Sequence, residues 1–221
     1  MRTNRHPARR FAPPVLSVFV ALAAVLAGCI QGQGPVTSEL REVAAFTRIE
    51  ATAGIRVVVR IGPAEAIEVS AQENLLPTIA TQFGGGTLRI DARDDFTTLE
   101  PVTVTVVIPA LDGITLSGGS GAEIEGLDAE SLELSIRGGA QVTAAGSVHS
   151  VMLDADGGAT ASLEGLLIRV ATISMEGGAT ATLTASDEVT GTAAGGSRLT
   201  VLGDADVSVD GSGGSVASRG G

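Results

Sequence analysis

The chain has no lysine, no tryptophan and no tyrosine, and its 221 residues include one cysteine, Cys29. A single cysteine excludes a disulfide within the chain. Beyond residue 28 only Phe46, Phe83 and Phe96 carry aromatic rings, so the platforms on which proteins stack sugar rings or bases are missing. The lack of lysine reads as codon bias of a GC-rich genome and has no mechanistic content. Positive charge is scarce as well: after residue 28, 10 arginines stand against 25 acidic residues, a net charge of 10 − 25 = −15. Such a surface repels nucleic acid and anionic headgroups.

Long hydrophobic runs are also lacking. The one candidate, Val15 to Leu26, has 12 residues, well short of the ~20 that a membrane span requires. It follows Arg2, Arg5, Arg9 and Arg10 and leads into Leu26-Ala27-Gly28-Cys29, the tripartite plan of a secretory signal peptide. This start resembles that of bacterial lipoproteins, whose Leu-Ala-Gly-Cys lipobox is cut before the cysteine. The resemblance implies a signal peptide over 1–28, cleavage between Gly28 and Cys29, and a diacylglyceryl thioether, usually with an amide-linked acyl chain, on Cys29. Two or three acyl chains hold firmly, at ~0.8 kcal/mol per buried methylene. Ile30 after that cysteine fits outer-membrane sorting in a diderm host. Residues 29–40, rich in Gln, Gly and Pro at their start, are expected to form a lipidated tether that lifts the domain off the membrane.

What the chain does have is glycine, 30 residues of it, and in the C-terminal half the glycines keep time. Pairs fall at Gly118-Gly119, Gly138-Gly139, Gly157-Gly158, Gly177-Gly178, Gly195-Gly196 and Gly213-Gly214, in steps of 20, 19, 20, 18 and 18 residues. A period that regular marks a solenoid. Each pair is followed by a small residue, Ser120, Ala140, Ala159, Ala179, Ser197 or Ser215. Two residues before each pair lies a largely apolar column, Leu116, Ile136, Ala155, Met175, Ala193 and Gly211. Four before lies another, Ile114, Leu134, Leu153, Ile173, Gly191 and Val209. The residues between them are polar, and this alternation of period two is that of a strand with one face buried. The pattern resumes in phase after the pair, and another glycine often closes the strand, as at Gly126, Gly146, Gly165 and Gly203.

Each repeat therefore reads as strand, Gly-Gly corner, strand, Gly corner and a short third piece. That is a coil of a parallel β-helix. Glycine suits such corners because a tight bend needs positive φ or close backbone approach. At ~3.3 Å per residue a coil has a perimeter of roughly 60 Å, and six coils at ~4.8 Å make a rod nearly 30 Å long. Alanine at many inward positions implies a thin cross-section without an interior cavity, so function belongs to the outside or the ends. The expected architecture is all-β, a single-stranded right-handed parallel β-helix of 18–20 residues per coil over 41–221, with 41–111 as N-terminal coils and cap and 112–221 as the Gly-Gly repeats.

The first half continues the strand signals without the corner. Ile55–Ile61, Ala66–Ala71, Thr87–Ala92 and Val102–Ile108 read as strands, and Leu75-Leu76 as an irregular plug. Their role is to start the solenoid and cover its first coil. The order Phe-Thr-Arg-Ile-Glu (46–50), Ile-Arg-Val-Val-Val (55–59), Glu-Asn-Leu-Leu-Pro (73–77), Gly-Thr-Leu-Arg-Ile (86–90), Val-Thr-Val-Thr-Val-Val-Ile-Pro (102–109) and Ile-Thr-Leu-Ser-Gly-Gly (114–119) resembles the family called putative auto-transporter adhesin, head GIN domain. The resemblance runs from about Arg41 to the C-terminus. It implies a bacterial envelope protein, often a lipoprotein, with a β-helical domain, and it carries over no catalytic residues.

β-Helices also host polysaccharide lyases and hydrolases, so fold alone does not decide function. The best constellation for such chemistry is Asp154, Asp156 and Glu176 on neighbouring outward positions, with Arg137 one coil earlier. Neither aromatics nor histidine flank it, so a solvated polar face is the preferred reading. His149 stands alone near a corner, and a lone surface histidine is seldom catalytic. Calcium-binding nonapeptides repeat about every nine residues with a fixed Asp, which these repeats lack, so neither a metal nor another cofactor is expected. Stacked Thr160, Ser162, Thr180 and Thr182 resemble an ice-binding array, but Gln141, Arg198 and Gly121 interrupt it.

The sequence therefore points to a lipid-anchored, non-catalytic envelope protein that displays a rigid polar array for adhesion or for binding an envelope protein or glycan. Many weak contacts would add through multivalency. The alternatives are a carbohydrate-active enzyme and an envelope signalling or stress accessory. The C-terminal coil, without a charged cover, invites self-association or a partner strand.

Overall fold

The computed structural model describes residues 29–220; the expected signal peptide and the Gly28 side of the cleavage site lie outside these residues. Every described element is a β-strand, and the strands wind into a β-solenoid of about five turns. The N-terminal part holds β1 (Ile30–Gln31), β2 (Val36–Leu40), β3 (Arg48–Ala51), β4 (Arg56–Ile61), β5 (Ala66–Gln72), β6 (Ile79–Gly84), β7 (Thr87–Ala92), β8 (Phe96–Thr97), β9 (Thr103–Ile108) and β10 (Gly113–Leu116). The repeats follow as long bent strands, β11 (Gly121–Arg137), β12 (Gln141–Asp156), β13 (Thr160–Met175) and β14 (Thr180–Ala193), then β15 (Arg198–Leu202), β16 (Asp206–Gly211) and β17 (Val216–Arg219).

The apolar columns stack in parallel register. Leu116 pairs with Ile136, Ile136 with Ala155, Ala155 with Met175 and Met175 with Ala193, and all five are buried. The four-before column stacks alike, from Ile49 through Ile114, Leu134, Leu153 and Ile173 to Gly191. Because the inward chains are so often alanine, opposite faces approach closely, and the interior is one continuous cluster of buried aliphatic residues.

The corners are turns with two consecutive left-handed residues, as a type I′ turn requires. Gly118 and Gly119 have φ of 60° and 75°, and the Ser120 amide donates to the Ser117 carbonyl at 3.2 Å. The glycines also stand one above another: a Cβ on Gly177 would lie 2.8 Å from the Gly157 nitrogen, and one on Gly157 would lie 3.2 Å from the Gly138 nitrogen. Ser120 and Ser197, buried just after their corners, satisfy their hydroxyls on the Ser117 and Ala194 carbonyls at 2.8 and 2.9 Å. Polarity inside the column thus carries little cost, because each hydroxyl has a partner.

One corner lacks the diglycine. Ala53 (φ 62°) and Gly54 (φ 70°) form the rung before Gly118, whose Cβ would lie 3.4 Å from the Ala53 nitrogen. Ala53 borders an open depression at the cap, so no further coil presses on it and a Cβ is tolerated there.

The cap departs from a purely parallel helix. β5 runs antiparallel to β9 and β2, and β6 runs antiparallel to β7. Leu75, fully buried in the turn between β5 and β6, plugs the first coil as expected. The stretch 29–40 corrects the expected free tether. β1 pairs with β8 through Ile30↔Phe96 and Gln31↔Thr97, and β2 pairs along β5 from Val36↔Gln72 to Leu40↔Glu68. Asn74 clamps the link between them, donating to the Gln31 carbonyl at 2.8 Å and accepting the Gln33 amide at 2.7 Å. Polar composition is no guide here because the sheet edge offers backbone donors and acceptors, which the backbone of a non-proline residue can pair with whatever its side chain.

Candidate functional site

The outward residues form columns laced by ion pairs between coils. Arg56 meets Glu123 at 2.7 Å, Arg60 meets Glu125 at 3.0 Å, Arg48 meets Glu133 at 2.8 Å and Arg89 meets Glu50 at 3.0 Å. These side chains are all well exposed, so each pair contributes little stability. Their effect is on surface character, since arginines so engaged leave the acidic excess dominant.

The constellation of Arg137, Asp154, Asp156 and Glu176 assembles only in part. Arg137 lies opposite Asp156 in register, yet its guanidinium donates to Asp154 at 2.7 Å. This hydrogen bond, reinforced by the charge of Asp154 and then of Asp156, raises the Arg137 pKa above its ordinary value. Glu176 sits at the following corner and makes no ion pair with Arg137. The group is exposed, its three carboxylates outnumber the single arginine, and none of its residues lines the groove described next, where a bound sugar could meet an acid and a base.

A better candidate lies on the face that follows the corners at Gly126, Gly146 and Gly165, here called the second face, where the repeat length changes. The third coil spans 20 residues from Gly157 to Gly177 and the fourth 18 from Gly177 to Gly195. The register jumps from Leu163↔Leu183 to Leu167↔Thr184, so Glu164, Gly165 and Leu166 have no counterparts in β14, and one residue is regained between Ile168 and Val170. The shorter coils step the face inward. At the step opens a groove of about 610 Å³, reaching from Asp128 and Glu130 across Val148, His149, Leu167 and Arg169 to Ser186 and Asp204. Leu167 lies in it 63 % exposed.

The groove holds His149, which stands alone in the sequence. β12 and β13 pair Val148↔Ile168 and Ser150↔Val170, which sets His149 beside Arg169 on the next coil. Arg169 donates to Asp187 Oδ2 through Nε at 3.1 Å and through a terminal nitrogen at 2.8 Å. The Ser186 hydroxyl donates to Asp187 Oδ1 at 2.6 Å. The hydroxyl bond first, the arginine bond second and the nearby charges of Arg169 and His149 hold the Asp187 carboxyl below its ordinary value. A lowered carboxylate contributes stability above its unfolded pKa, about 3.9 for Asp, and loses it as pH falls through the folded value. Asp187→Asn should therefore melt slightly below the parent at about pH 7, and the small difference should vanish in acid, once the pH falls below the folded value of the carboxyl. Calorimetry at neutral and at acid pH checks this. An undiminished gap in acid would show that the carboxylate charge is not its source.

With fold and groove in place, the chain can be set beside known proteins. Residues 45–205 match the model of the family described as putative auto-transporter adhesin, head GIN domain. The chain belongs to this family. No curated protein matches it. Among solved structures it is similar to a putative adhesin from Bacteroides fragilis NCTC 9343, with TM-score 0.69 and 16 % identity over 86 % of this chain and 98 % of that one. A putative adhesin from Parabacteroides distasonis ATCC 8503 follows at TM-score 0.59 and 14 % identity, covering 87 % and 100 %. A putative lipid binding protein from the same strain has TM-score 0.53 and 13 % identity, covering 88 % and 100 %. At these identities the likeness is one of fold.

Proposed function

We propose that this protein is a lipid-anchored, non-catalytic display scaffold of the bacterial cell envelope that binds another envelope component, protein or glycan, through the groove on its second face. In a diderm host its place is the outer membrane. The observation that carries this reading is the groove itself, a concave surface with an apolar floor of Val148, Leu167 and Ile168 and a charged rim. Apolar floors with a few placed polar groups are the usual form of binding sites. Membership of the adhesin family supports a surface role, and the exposed sulfur of Cys29 supports attachment there.

Two measurements test the reading. Cells labelled with radioactive palmitate should incorporate it into the full chain and lose it completely in Cys29→Ser, with the variant moving from the membrane to the soluble fraction. The domain should retain envelope material on a glycan and protein array, and Leu167→Glu should weaken that retention at least several-fold. Release of reducing sugar or unsaturated product that disappears in Asp154→Ala or Glu176→Ala would overturn the non-catalytic reading.

A further inference from the structure

The capped end differs from the rest of the rod in what it exposes. Leu99 is 101 % exposed, Leu40 74 % and Val36 47 %, and all three lie on the cap. Edge strands are usually blunted by charge because an apolar edge invites association. Here β2 presents Val36 and Leu40 four residues apart, on one side of an edge strand. Leu99 lies two residues past the end of β8. The Thr98 hydroxyl donates to the Gln72 side chain at 2.8 Å, and Gln72 in turn pairs with Val36, so Leu99 and Val36 flank the segment that begins at Cys29.

Cys29 itself has no slack. The Ile30 amide donates to the Asp95 carbonyl and the Gly32 amide to the Thr97 carbonyl, both at 2.8 Å, and the Cys29 sulfur lies 3.0 Å from the Thr97 hydroxyl. A lipid on that sulfur would start within one residue of folded sheet, so the surface around it must sit at headgroup depth.

We propose that the capped end of the solenoid is its membrane-resting face, with Leu99, Leu40 and Val36 in contact with the bilayer and the coils stacked away from it. Asp94, Asp95 and Glu100 beside this patch repel an anionic surface, so the partner is a bilayer of zwitterionic headgroups. In the strand order β7-β3-β10-β11-β12-β13-β14, with β16 beyond, the far end stands roughly 34 Å from β7 at ~4.8 Å per strand. The groove begins at β11, four strands from the patch strand β2 by way of β5, β9 and β4, roughly 19 Å out by the same spacing, clear of the headgroups and facing sideways. This inference rests on attachment through Cys29.

The chain's lack of tryptophan makes the test clean. The chain from Cys29 onward, which contains every strand among the described residues, is coupled through its one thiol to a maleimide lipid in phosphatidylcholine vesicles. This chemical link supplies the anchor whether or not cells lipidate Cys29, so failure of orientation and failure of lipidation are separate results. Single reporters are placed at exposed sites as Leu99→Trp, Leu40→Trp and, on β17 at the opposite end, Val216→Trp. On coupling, Leu99→Trp and Leu40→Trp should shift to the blue and be quenched by brominated lipid several-fold more than Val216→Trp, which should stay open to iodide. Equal quenching of Val216→Trp, or water-like emission from Leu99→Trp after coupling, overturns the proposal.

Discussion

Gly191→Ala is expected to lower the melting temperature by roughly 10 °C, far more than the same change at Gly196. Gly191 has φ of 135°, and its Cβ would overlap the Ile173 carbonyl oxygen and lie 2.8 Å from the carbonyl carbon. The obstacle is backbone of the coil below, which the ladder Ile173↔Gly191↔Val209 holds in place. Backbone strain at such a φ costs about 1–3 kcal/mol, and forcing apart a packed contact adds about 1–3 kcal/mol. For a domain of this size each kcal/mol moves the midpoint by about 2–4 °C. Gly196 has φ of 81° but nothing within 4 Å of its would-be Cβ, so only the strain applies there. Thermal unfolding of both variants checks the difference. Equal losses would mean that the coils separate easily at Gly191 and that close approach does not limit them.

That comparison also separates what the sequence made legible from what it did not. The diglycine period and the two apolar columns could be read because every coil repeats one demand, left-handed φ at a corner and a small volume behind it. Gly191 could be placed in a column by counting, but its reason could not, since the close carbonyl belongs to a residue 18 positions earlier and appears only with the register. The Ala53-Gly54 rung breaks the diglycine pattern for the opposite reason: its neighbour is open space, so no close contact demands glycine and only the strain of its φ of 62° remains. The supposed tether was misread because β1 and β2 are held by backbone groups of β8 and β5, and composition says nothing of those.

The candidate site was less legible than the fold. Arg137 and Asp154 were brought together by simple alternation, which works where register is unbroken. Arg169 and Asp187 are related across two irregularities in register between β13 and β14, at Leu163/Leu167 and at Ile168/Val170, and His149 meets Arg169 only after another between β12 and β13, at Thr143/Ala145, so counting by a fixed period does not align them. The signal that was present is the fall in repeat length from 20 to 18 residues at Gly177. A solenoid that loses two residues from one coil must step somewhere on its surface, and a step with an apolar chain on it is a place to look for binding.

Leu134→Ala is expected to cost about 2–5 kcal/mol, at the upper part of that range, and to make unfolding less cooperative. Leu134 is fully buried, stacked between Ile114 and Leu153. In a helical protein the walls of such a gap can relax inward. Here they cannot follow, because the coils are fixed at ~4.8 Å by hydrogen-bonded ladders on both sides. A stacked array is stabilised by coupling between neighbours, so a gap in the first full coil weakens one of the two ladders, β10-β11 and β4-β11, that join the cap to the repeats. Urea unfolding should then show a lower midpoint with a smaller slope, or two steps in place of one. Leu167→Ala, at a side chain 63 % exposed in the groove, should leave both quantities nearly unchanged. A loss at Leu134 below about 1 kcal/mol with the slope preserved would show that this thin core closes over a missing side chain and that its tight filling is not what joins coil to coil.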